Sequence, residues 1–431
     1  MNKLSKIKFV LFNSELFKNT SILLSGTALA QLIPILLEPI LRRYYSPEIF
    51  GAYSVYLSLL GILIIVASFK YELAIILPKK DKEAANIFIL SVILSFFFSI
   101  ILLIIVLIWK KNICIFLNLS LTYVNYLYVI PLGTFLFSLY QSINFWLIRK
   151  KKFLAISQNK FIRRSFEGSG KIGFRFIVGT YGLVIGDILG HIANLVSGVI
   201  QAHKSGLNLK LINFNKLRYV SRKYIEYPKF NVIPSFLSAC SYLLPAILIN
   251  KFFSTEYAGF FDLSKLVLSI PLALIATSIS NVLLQRVSEK YREKQSFVKE
   301  FIPIVIIVLL IAFTELFIIS LWGADLFVFI FGKKWSLSGE ISEILIWSFS
   351  ISFITASFTS VFIAMKKIKI YSFWQLFYFI CIMSLYFFRK YGFIDFLKVF
   401  VFIEIISYLI AISMIIVVML KYELNLKRSL S

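Results

Sequence analysis

The chain is poor in the residue types that build metal sites and disulfide frameworks. Its 431 residues include only two histidines and three cysteines. The cysteines at positions 114, 240 and 381 lie far apart, and His191 and His203 do not have the spacing of a zinc-binding pair. The sequence therefore predicts no metal site, no disulfide framework and no cofactor.

Enzymatic motifs are also missing. The segment Gly168-Ser169-Gly170-Lys171 is part of a phosphate-binding loop pattern, but Ser165 stands where that pattern requires glycine and Ile172 where it requires Ser or Thr. The longest segment between apolar runs, about 204–228, is too short for a soluble catalytic domain. We therefore predict that the protein is not an enzyme.

Acidic residues are scarce: 21 Asp and Glu stand against 46 Lys and Arg, which gives a net charge of +25. Hydrophobic residues make up 59% of the chain, and apolar runs of membrane-spanning length recur. Basic residues in the short loops of membrane proteins set orientation. The composition therefore predicts an all-α, multi-pass protein of the inner-membrane type, and it gives no reason to expect nucleic-acid binding.

Twelve apolar runs predict about twelve transmembrane helices, with both termini in the cytoplasm. The first six and the last six have the same direction, which predicts two parallel six-helix repeats. We expect an N-lobe at 1–204, a cytoplasmic linker at 205–228 and a C-lobe at 229–431. The spans are roughly 20–41, 50–77, 86–109, 123–148, 153–178, 181–203, 229–250, 256–285, 301–322, 338–364, 370–388 and 393–420.

A shared turn motif supports the duplication. The turn at 42–53, between the first two spans, returns 208 positions later at 250–261. Ser46, Glu48 and Gly51 of the first turn correspond to Ser254, Glu256 and Gly259 of the second. Both turns also lie between long apolar runs, and a chance match of a few residues would not be expected to share this context. We interpret them as a duplicated helix pair.

The fifth span carries more charge than a lipid-facing helix tolerates. If this span crosses the membrane, Lys and Arg concentrate on the cytoplasmic side, whereas otherwise the two sides are nearly equal. We therefore predict that it crosses, with its charges facing an aqueous lumen. Four charged residues at intervals of four form one face: Arg163, Glu167, Lys171 and Arg175.

Helices five and six are antiparallel neighbours, and residues equidistant from their short turn lie at similar heights. This predicts a contact of Lys171 with Asp187 and of Glu167 with His191, and it leaves Arg163 and Arg164 without a partner. Two interpretations remain for the network: internal neutralisation and direct substrate contact. The deepest carboxyls are candidates for coupling transport to H+ or Na+: Asp187, Glu315 and Glu404.

Polar and helix-breaking residues also interrupt the first span. Gln31, Pro34 and Glu38 fall at i, i+3 and i+7 and therefore share one helical face. Such residues are tolerated at membrane depth where they face protein or a water-filled cavity. The first span lines a wet lumen, or it contains ordinary kinks within a bundle.

Motifs along nearly the whole chain resemble those of bacterial oligosaccharide flippases. They are Gly26-Thr27, Ala30-Gln31, Pro34, Pro39, Arg42-Arg43, Ser46-Pro47-Glu48, Phe50-Gly51, Lys70 through Pro78, Ala258-Gly259, Leu268 through Pro271, Gln285-Arg286 and Phe331 through Trp335. The chain is similar to the Wzx-type polysaccharide repeat-unit exporters, in a superfamily that also holds multidrug antiporters and the peptidoglycan-precursor flippase. Lys70 stands where the family pattern usually has Arg.

The resemblance implies two lobes that form a V around a central cationic lumen and that work by alternating access. Their implied substrate is an undecaprenyl-diphosphate-linked oligosaccharide repeat unit, moved to the periplasmic leaflet for O-antigen or capsule synthesis. The implied partners are membrane lipids and other polysaccharide-assembly proteins. Candidate head-group residues are Arg163, Arg164, Lys171, Arg175, Gln31, Glu38 and Lys70. The alternatives are a membrane-embedded polymerase or glycosyltransferase, and a multidrug or cation antiporter.

Overall fold

A computed structural model describes the backbone of residues 15–208 and 212–430, and the side chains of residues 25–208, 212–298, 301–426 and 428. The chain divides into two compact units, with the boundary between Ala239 and Cys240. Ten helical segments of the described chain are long and apolar enough to cross a membrane. One of them, Phe153–Lys204, comprises two antiparallel helices, and Glu15–Tyr44 is a further long helix.

The first unit contains six long helices and one short one. In chain order they are α1 (Glu15–Tyr44), α2 (Pro47–Ala67), α3 (Asp81–Leu117), α4 (Val124–Arg149), α5 (Phe153–Val178), α6 (Gly182–Lys204) and α7 (Phe214–Lys223). Short 3-10 helices stand at Tyr71–Ile76, Leu121–Tyr123 and Gly179–Tyr181. The helix α8 (Glu226–Phe252) begins in this unit and contains the boundary.

The second unit contains the remaining helices. They are α9 (Thr255–Arg292), α10 (Val298–Phe331), α11 (Ser336–Phe358), α12 (Ser360–Ala364), α13 (Ile368–Met383) and α14 (Phe393–Leu430). Each of the twelve predicted spans overlaps a helix or a helix pair, so the all-α transmembrane prediction is confirmed, although α3, α9, α10 and α14 extend seven to ten residues past the predicted ends. The predicted cytoplasmic amino terminus concerns residues 1–14, which lie outside the described residues.

The second predicted span, 50–77, is not one helix, and that prediction was wrong. The helix α2 ends at Ala67 because Phe69 and Lys70 have left-handed backbone conformations, with φ of 49° and 62°. Residues with a Cβ adopt this region seldom, and it cannot continue a right-handed helix. The chain then forms the 3-10 turn Tyr71–Ile76. The tenth predicted span, 338–364, is likewise divided, into α11 and α12.

The repeated turn has the same capping in both units. Ser46 accepts a hydrogen bond from the Ile49 amide (3.4 Å) at the start of α2. Ser254 accepts one from the Tyr257 amide (3.1 Å) at the start of α9. A serine at this position satisfies an amide that has no partner within the helix. The motif that repeats in the sequence is therefore a repeated helix start.

Glycines bring α5 and α6 into close contact along their length. A Cβ at Gly186 would lie 2.4 Å from the Lys171 backbone nitrogen, and one at Gly182 would lie 2.9 Å from the Arg175 nitrogen. A Cβ at Gly190 would lie 2.9 Å from the Arg163 carbonyl oxygen. This ridge of small residues lets the two backbones approach as in other membrane helix pairs.

We expect Gly186→Ala to destabilise the protein, because the added methyl group meets backbone that cannot move aside. Overpacking of this kind costs about 1–3 kcal/mol. The measurement is the midpoint of thermal unfolding of the purified protein in detergent. Gly173→Ala is the matched control on α5, since a Cβ there has no atom within 4 Å. An equal midpoint for the two variants would contradict the tight α5/α6 contact.

Candidate functional site

A polar cavity lies inside the first unit among α2, α4, α5 and α6. Its volume is about 280 Å³. The segment that follows α2 forms part of its wall, so the backbone break at Phe69 and Lys70 shapes it. Its charged and polar lining includes Ser68, Lys70, Glu72, Arg163, Asp187 and His191.

The carboxylate of Glu167 is the centre of a cationic cluster on α5. It is buried and accepts hydrogen bonds from Lys171 Nζ (2.6 Å) and Arg164 Nη1 (2.9 Å). Arg163 Nε lies 3.9 Å from the same carboxylate. One buried acid is thus shared by three bases, and the cluster keeps an excess of positive charge. The side chain of Arg164 remains 27% exposed.

Arg163 joins this cluster to the polar cavity. Its Nη2 donates to His191 Nε2 (3.3 Å) and lies 3.8 Å from Asp187 Oδ1. Asp187 also accepts a hydrogen bond from the Tyr56 hydroxyl (3.1 Å). Both Asp187 and His191 are almost completely buried, each with 1% of its side chain exposed. Arg163 is therefore held among buried acceptors in the wall of the cavity, whereas Arg164 pairs with Glu167 and has a slightly more exposed side chain, 27% against 22%.

The predicted pairings across α5 and α6 were wrong. Lys171 contacts Glu167 on its own helix and not Asp187, and Glu167 contacts Lys171 and Arg164 and not His191. The heights were nearly right, because Gly186 and Gly190 lie against Lys171 and Glu167. The directions of the side chains were predicted incorrectly. Glycines occupy the line of contact between α5 and α6, so the side chains of Asp187 and His191 leave α6 away from that line. Arg163 and Arg164 consequently do have partners.

Arg175 lies away from the cluster although it continues the same four-residue spacing. Its Nε donates to the Tyr44 carbonyl oxygen (3.0 Å), and its guanidinium lies 5.3 Å from the centre of the Tyr45 ring. Each step of four residues turns a helix by about 40° more than one full revolution, so three steps move a side chain by about 120°. The Arg175 side chain therefore caps the end of α1.

On α1, Glu38 forms an internal ion pair. Its carboxylate accepts from Arg42 Nε (2.8 Å), and the Arg42 guanidinium lies 3.5 Å from the centre of the Phe50 ring. Glu38 is 8% exposed and Arg42 is fully buried. Gln31 is half-buried. The structure thus gives Glu38 a local partner, and a head-group role for either residue stays a prediction.

Two carboxyl groups on spanning helices of the second unit were candidates for ion coupling: Glu404 is buried and Glu315 is half-buried. Glu404 is 6% exposed, accepts a hydrogen bond from the Tyr378 hydroxyl (2.8 Å), and lines a cavity of about 60 Å³ together with Lys265 and Tyr408. Its Oε2 has no hydrogen-bond partner within the described residues, and neither does Oε2 of Glu315 on α10. Asp187, the third coupling candidate, belongs to the first unit.

Several cavity residues were not found from the sequence. Ser138 and Gln141 on α4 line the cavity, carry no charge and lie in an apolar run typical of an ordinary span. Nothing in a single sequence distinguishes such residues from buried helix-packing residues. The same holds for Tyr56 on α2, which donates a hydrogen bond to Asp187. Glu72, within the motif at 70–78, is buried and accepts a hydrogen bond from Ser68.

The chain shares its multi-pass helical fold with several solved structures. An inward-facing multidrug resistance MATE family transporter of the MOP superfamily has a TM-score of 0.71 and 15% sequence identity, over 92% of this chain and 95% of that one. The lipid II flippase MurJ in an inward closed conformation has a TM-score of 0.70 and 15% identity, over 93% and 90%.

A third similar structure is a MOP superfamily transporter from Pyrococcus furiosus, described as having a binding pocket of reverse polarity. It has a TM-score of 0.58 and 15% identity, over 95% of each chain. These low identities show the fold alone. Among curated proteins, none matches the chain in sequence. The sequence model of the polysaccharide biosynthesis protein family matches residues 40–340, and the chain belongs to that family.

Proposed function

We propose that the protein is a flippase for undecaprenyl-diphosphate-linked oligosaccharide repeat units, used in the synthesis of O-antigen or capsular polysaccharide. The observation that carries the proposal is the cationic cluster on α5, in which Arg163, Arg164 and Lys171 surround the single carboxylate of Glu167. Membership of the polysaccharide biosynthesis protein family supports the same substrate class.

A diphosphate is the chemical partner that this cluster fits. Phosphate oxygens accept charge-assisted hydrogen bonds from the planar guanidinium of arginine in pairs. Arg164 donates Nη1 to Glu167 and keeps part of its side chain exposed. In the proposed cycle the lipid tail stays in the bilayer, the diphosphate and sugars follow the protein interior, and alternating access carries them to the periplasmic leaflet. No covalent bond is made or broken.

We further propose that both termini and the linker containing α7 are cytoplasmic, in the bacterial inner membrane, because basic residues concentrate in the corresponding loops. The partners in this proposal are the lipid-linked oligosaccharide, membrane lipids and other polysaccharide-assembly proteins. The direct experiment is reconstitution of the purified protein with the lipid-linked repeat unit in vesicles. Accessibility of the sugar to a soluble enzyme or lectin then reports the leaflet. Protein-independent movement would contradict the flippase proposal.

A multidrug or cation antiporter is the second candidate, since the chain shares its fold with MATE transporters. A cation substrate would need an acidic site, and the cavity of the first unit contains Glu72 and Asp187 as acids and Lys70 and Arg163 as bases. The bases balance the acids, so this cavity offers no net negative charge to a cationic drug. Drug efflux from the same vesicles distinguishes the two candidates.

Coupling of transport to H+ or Na+ through a buried carboxyl is a separate proposal. Glu404→Gln keeps the shape of the side chain and removes its charge, so we expect translocation that no longer responds to an imposed ion gradient while the protein stays folded. Asp187→Asn and Glu315→Gln are tested in parallel. The measurement is the ratio of translocation rates with and without the gradient. An unchanged ratio in all three variants would contradict carboxyl coupling.

A further inference from the structure

The short helix α7 is fixed beside the first turns of the spanning helix α3. The Asn213 amide donates to Asn86 Oδ1 (3.1 Å), Lys223 Nζ donates to Glu83 Oε1 (2.6 Å), and the Tyr224 hydroxyl donates to the same oxygen (3.0 Å). Val220 on the inner face of α7 is buried. Because α3 begins here, α7 lies at the level where the spanning helix meets the membrane surface.

The outer face of α7 combines aromatic and basic side chains. Phe214 is 80% exposed and Tyr219 is 56% exposed, although α7 is anchored on its other face. Arg218 and Arg222 lie between them on the helical wheel, at four and eight residues from Phe214. Amphipathic helices that rest on membranes have this composition, in which apolar residues enter the acyl boundary and basic residues contact the head groups.

Basic residues also outnumber acids at the edge of this face. The ammonium of Lys82 lies beside Lys216 and lowers the pKa of Lys216, and Lys80 acts in the same direction. Within the described residues, Lys80, Lys82, Lys216, Arg218 and Arg222 form no salt bridge, because Glu83 pairs with Lys223 and Asp81 pairs with Arg149 and Lys150. Uncompensated like charges held together favour an anionic ligand.

We infer that this α7 basic surface, made of Phe214, Lys216, Arg218, Tyr219 and Arg222 with Lys80 and Lys82, binds the head groups of anionic phospholipids. Two independent features point to it: the exposed aromatic and arginine face, and the crowded lysines. A lipid surface satisfies both, since it supplies phosphates and an acyl boundary together. This inference does not depend on the transported substrate.

The test is native mass spectrometry of the full-length protein in detergent, titrated with phosphatidylglycerol or phosphatidylcholine. We expect preferential retention of phosphatidylglycerol. Each basic residue at a membrane surface contributes about fivefold in affinity. The triple variant Lys216→Gln, Arg218→Gln and Arg222→Gln is therefore expected to lose at least about tenfold in affinity for phosphatidylglycerol, with little change for phosphatidylcholine.

The matched control removes the same charge elsewhere: Lys366→Gln, Lys367→Gln and Lys369→Gln, all at exposed positions between the end of α12 and the first turn of α13. This control is expected to retain phosphatidylglycerol. Phe214→Ala should weaken the binding of this lipid, because the aromatic ring contacts the acyl boundary. Inorganic phosphate should not displace the lipid, since binding at a site for soluble anions would not depend on the ring. Equal retention of the two lipids, or equal losses in both triple variants, would overturn the inference. Unchanged elution and unfolding midpoints establish that the variants are folded.

Discussion

Arg164→Ala is expected to reduce translocation of the lipid-linked repeat unit by about tenfold to a hundredfold while the protein stays folded and inserted. The hydrogen bonds of charged groups contribute about 1.5–3 kcal/mol, which corresponds to that range in binding. Arg164 is the basic residue of the cluster with the most exposed side chain, at 27% against 22% for Arg163 and 10% for Lys171. Its loss also leaves Glu167 with Lys171 as a close partner, so the fold should survive.

The measurement is the leaflet assay in reconstituted vesicles, with inserted protein quantified in parallel. Arg164→Lys should recover only part of the rate, since an ammonium does not reproduce the paired donors of a guanidinium. Arg389→Ala is the matched control: it removes an exposed arginine that stacks on Tyr386 in the second unit. Normal translocation by Arg164→Ala would show that the head group binds elsewhere.

Arg163→Ala is a different experiment, because Arg163 has buried acceptors. Its guanidinium contacts His191 and lies near Asp187, and both of these are almost completely buried. Without Arg163, the Asp187 carboxylate keeps its hydrogen bond from the Tyr56 hydroxyl but loses its nearby basic group on α5. A lower amount of folded protein from this variant therefore reports the internal network and does not by itself locate the substrate.

The sequence predicted the helices well because their signal is local. Apolar runs gave twelve spans that match the observed helices, and the repeated Ser46 and Ser254 turn corresponds to two equivalent helix starts. The breaks were harder to predict. Phe69 and Lys70 adopt left-handed backbone conformations, although neither position has the glycine that usually indicates them. Contacts with distant parts of the chain hold that segment, such as the hydrogen bond from the Tyr71 hydroxyl to the Ser221 carbonyl oxygen (2.8 Å), and a single sequence does not display them.

The candidate site was predicted in composition but not in geometry. Charges at intervals of four correctly placed Arg163, Glu167 and Lys171 together on α5. The same rule failed for Arg175, since the helical drift accumulates over three turns. Pairing by height failed for Asp187 because height does not determine the direction in which a side chain leaves its helix. Periodicity thus predicts a face of one helix, whereas contacts between helices also require their rotation.

The largest expected effect on stability is that of Glu167→Gln. The Glu167 carboxylate is 5% exposed and lies within 4 Å of basic groups on Lys171, Arg164 and Arg163. Removing it leaves three basic groups close together, and of these Arg163 keeps an acid nearby, since Asp187 Oδ1 lies 3.8 Å from its Nη2. Breaking a buried ion pair by removing one partner costs about 3–5 kcal/mol. We therefore expect little folded Glu167→Gln protein, measured as the fraction that elutes as a single species in detergent and as its unfolding midpoint.

A second substitution tests whether the loss comes from unbalanced charge. Lys171 is the most buried base of the cluster, and its ammonium lies 4.9 Å from the centre of the Tyr53 ring. Lys171→Met keeps the apolar length of this side chain and removes its charge. The double variant Glu167→Gln/Lys171→Met lacks two of the interacting charges. It should therefore recover part of the stability that Glu167→Gln loses. The coupling energy between the two sites should be on the order of 1 kcal/mol, as is typical of residues in contact. If the stability losses of the two single variants simply add, Glu167 stabilises the fold through its packing. The charge balance of the cationic cluster would then not depend on this carboxylate.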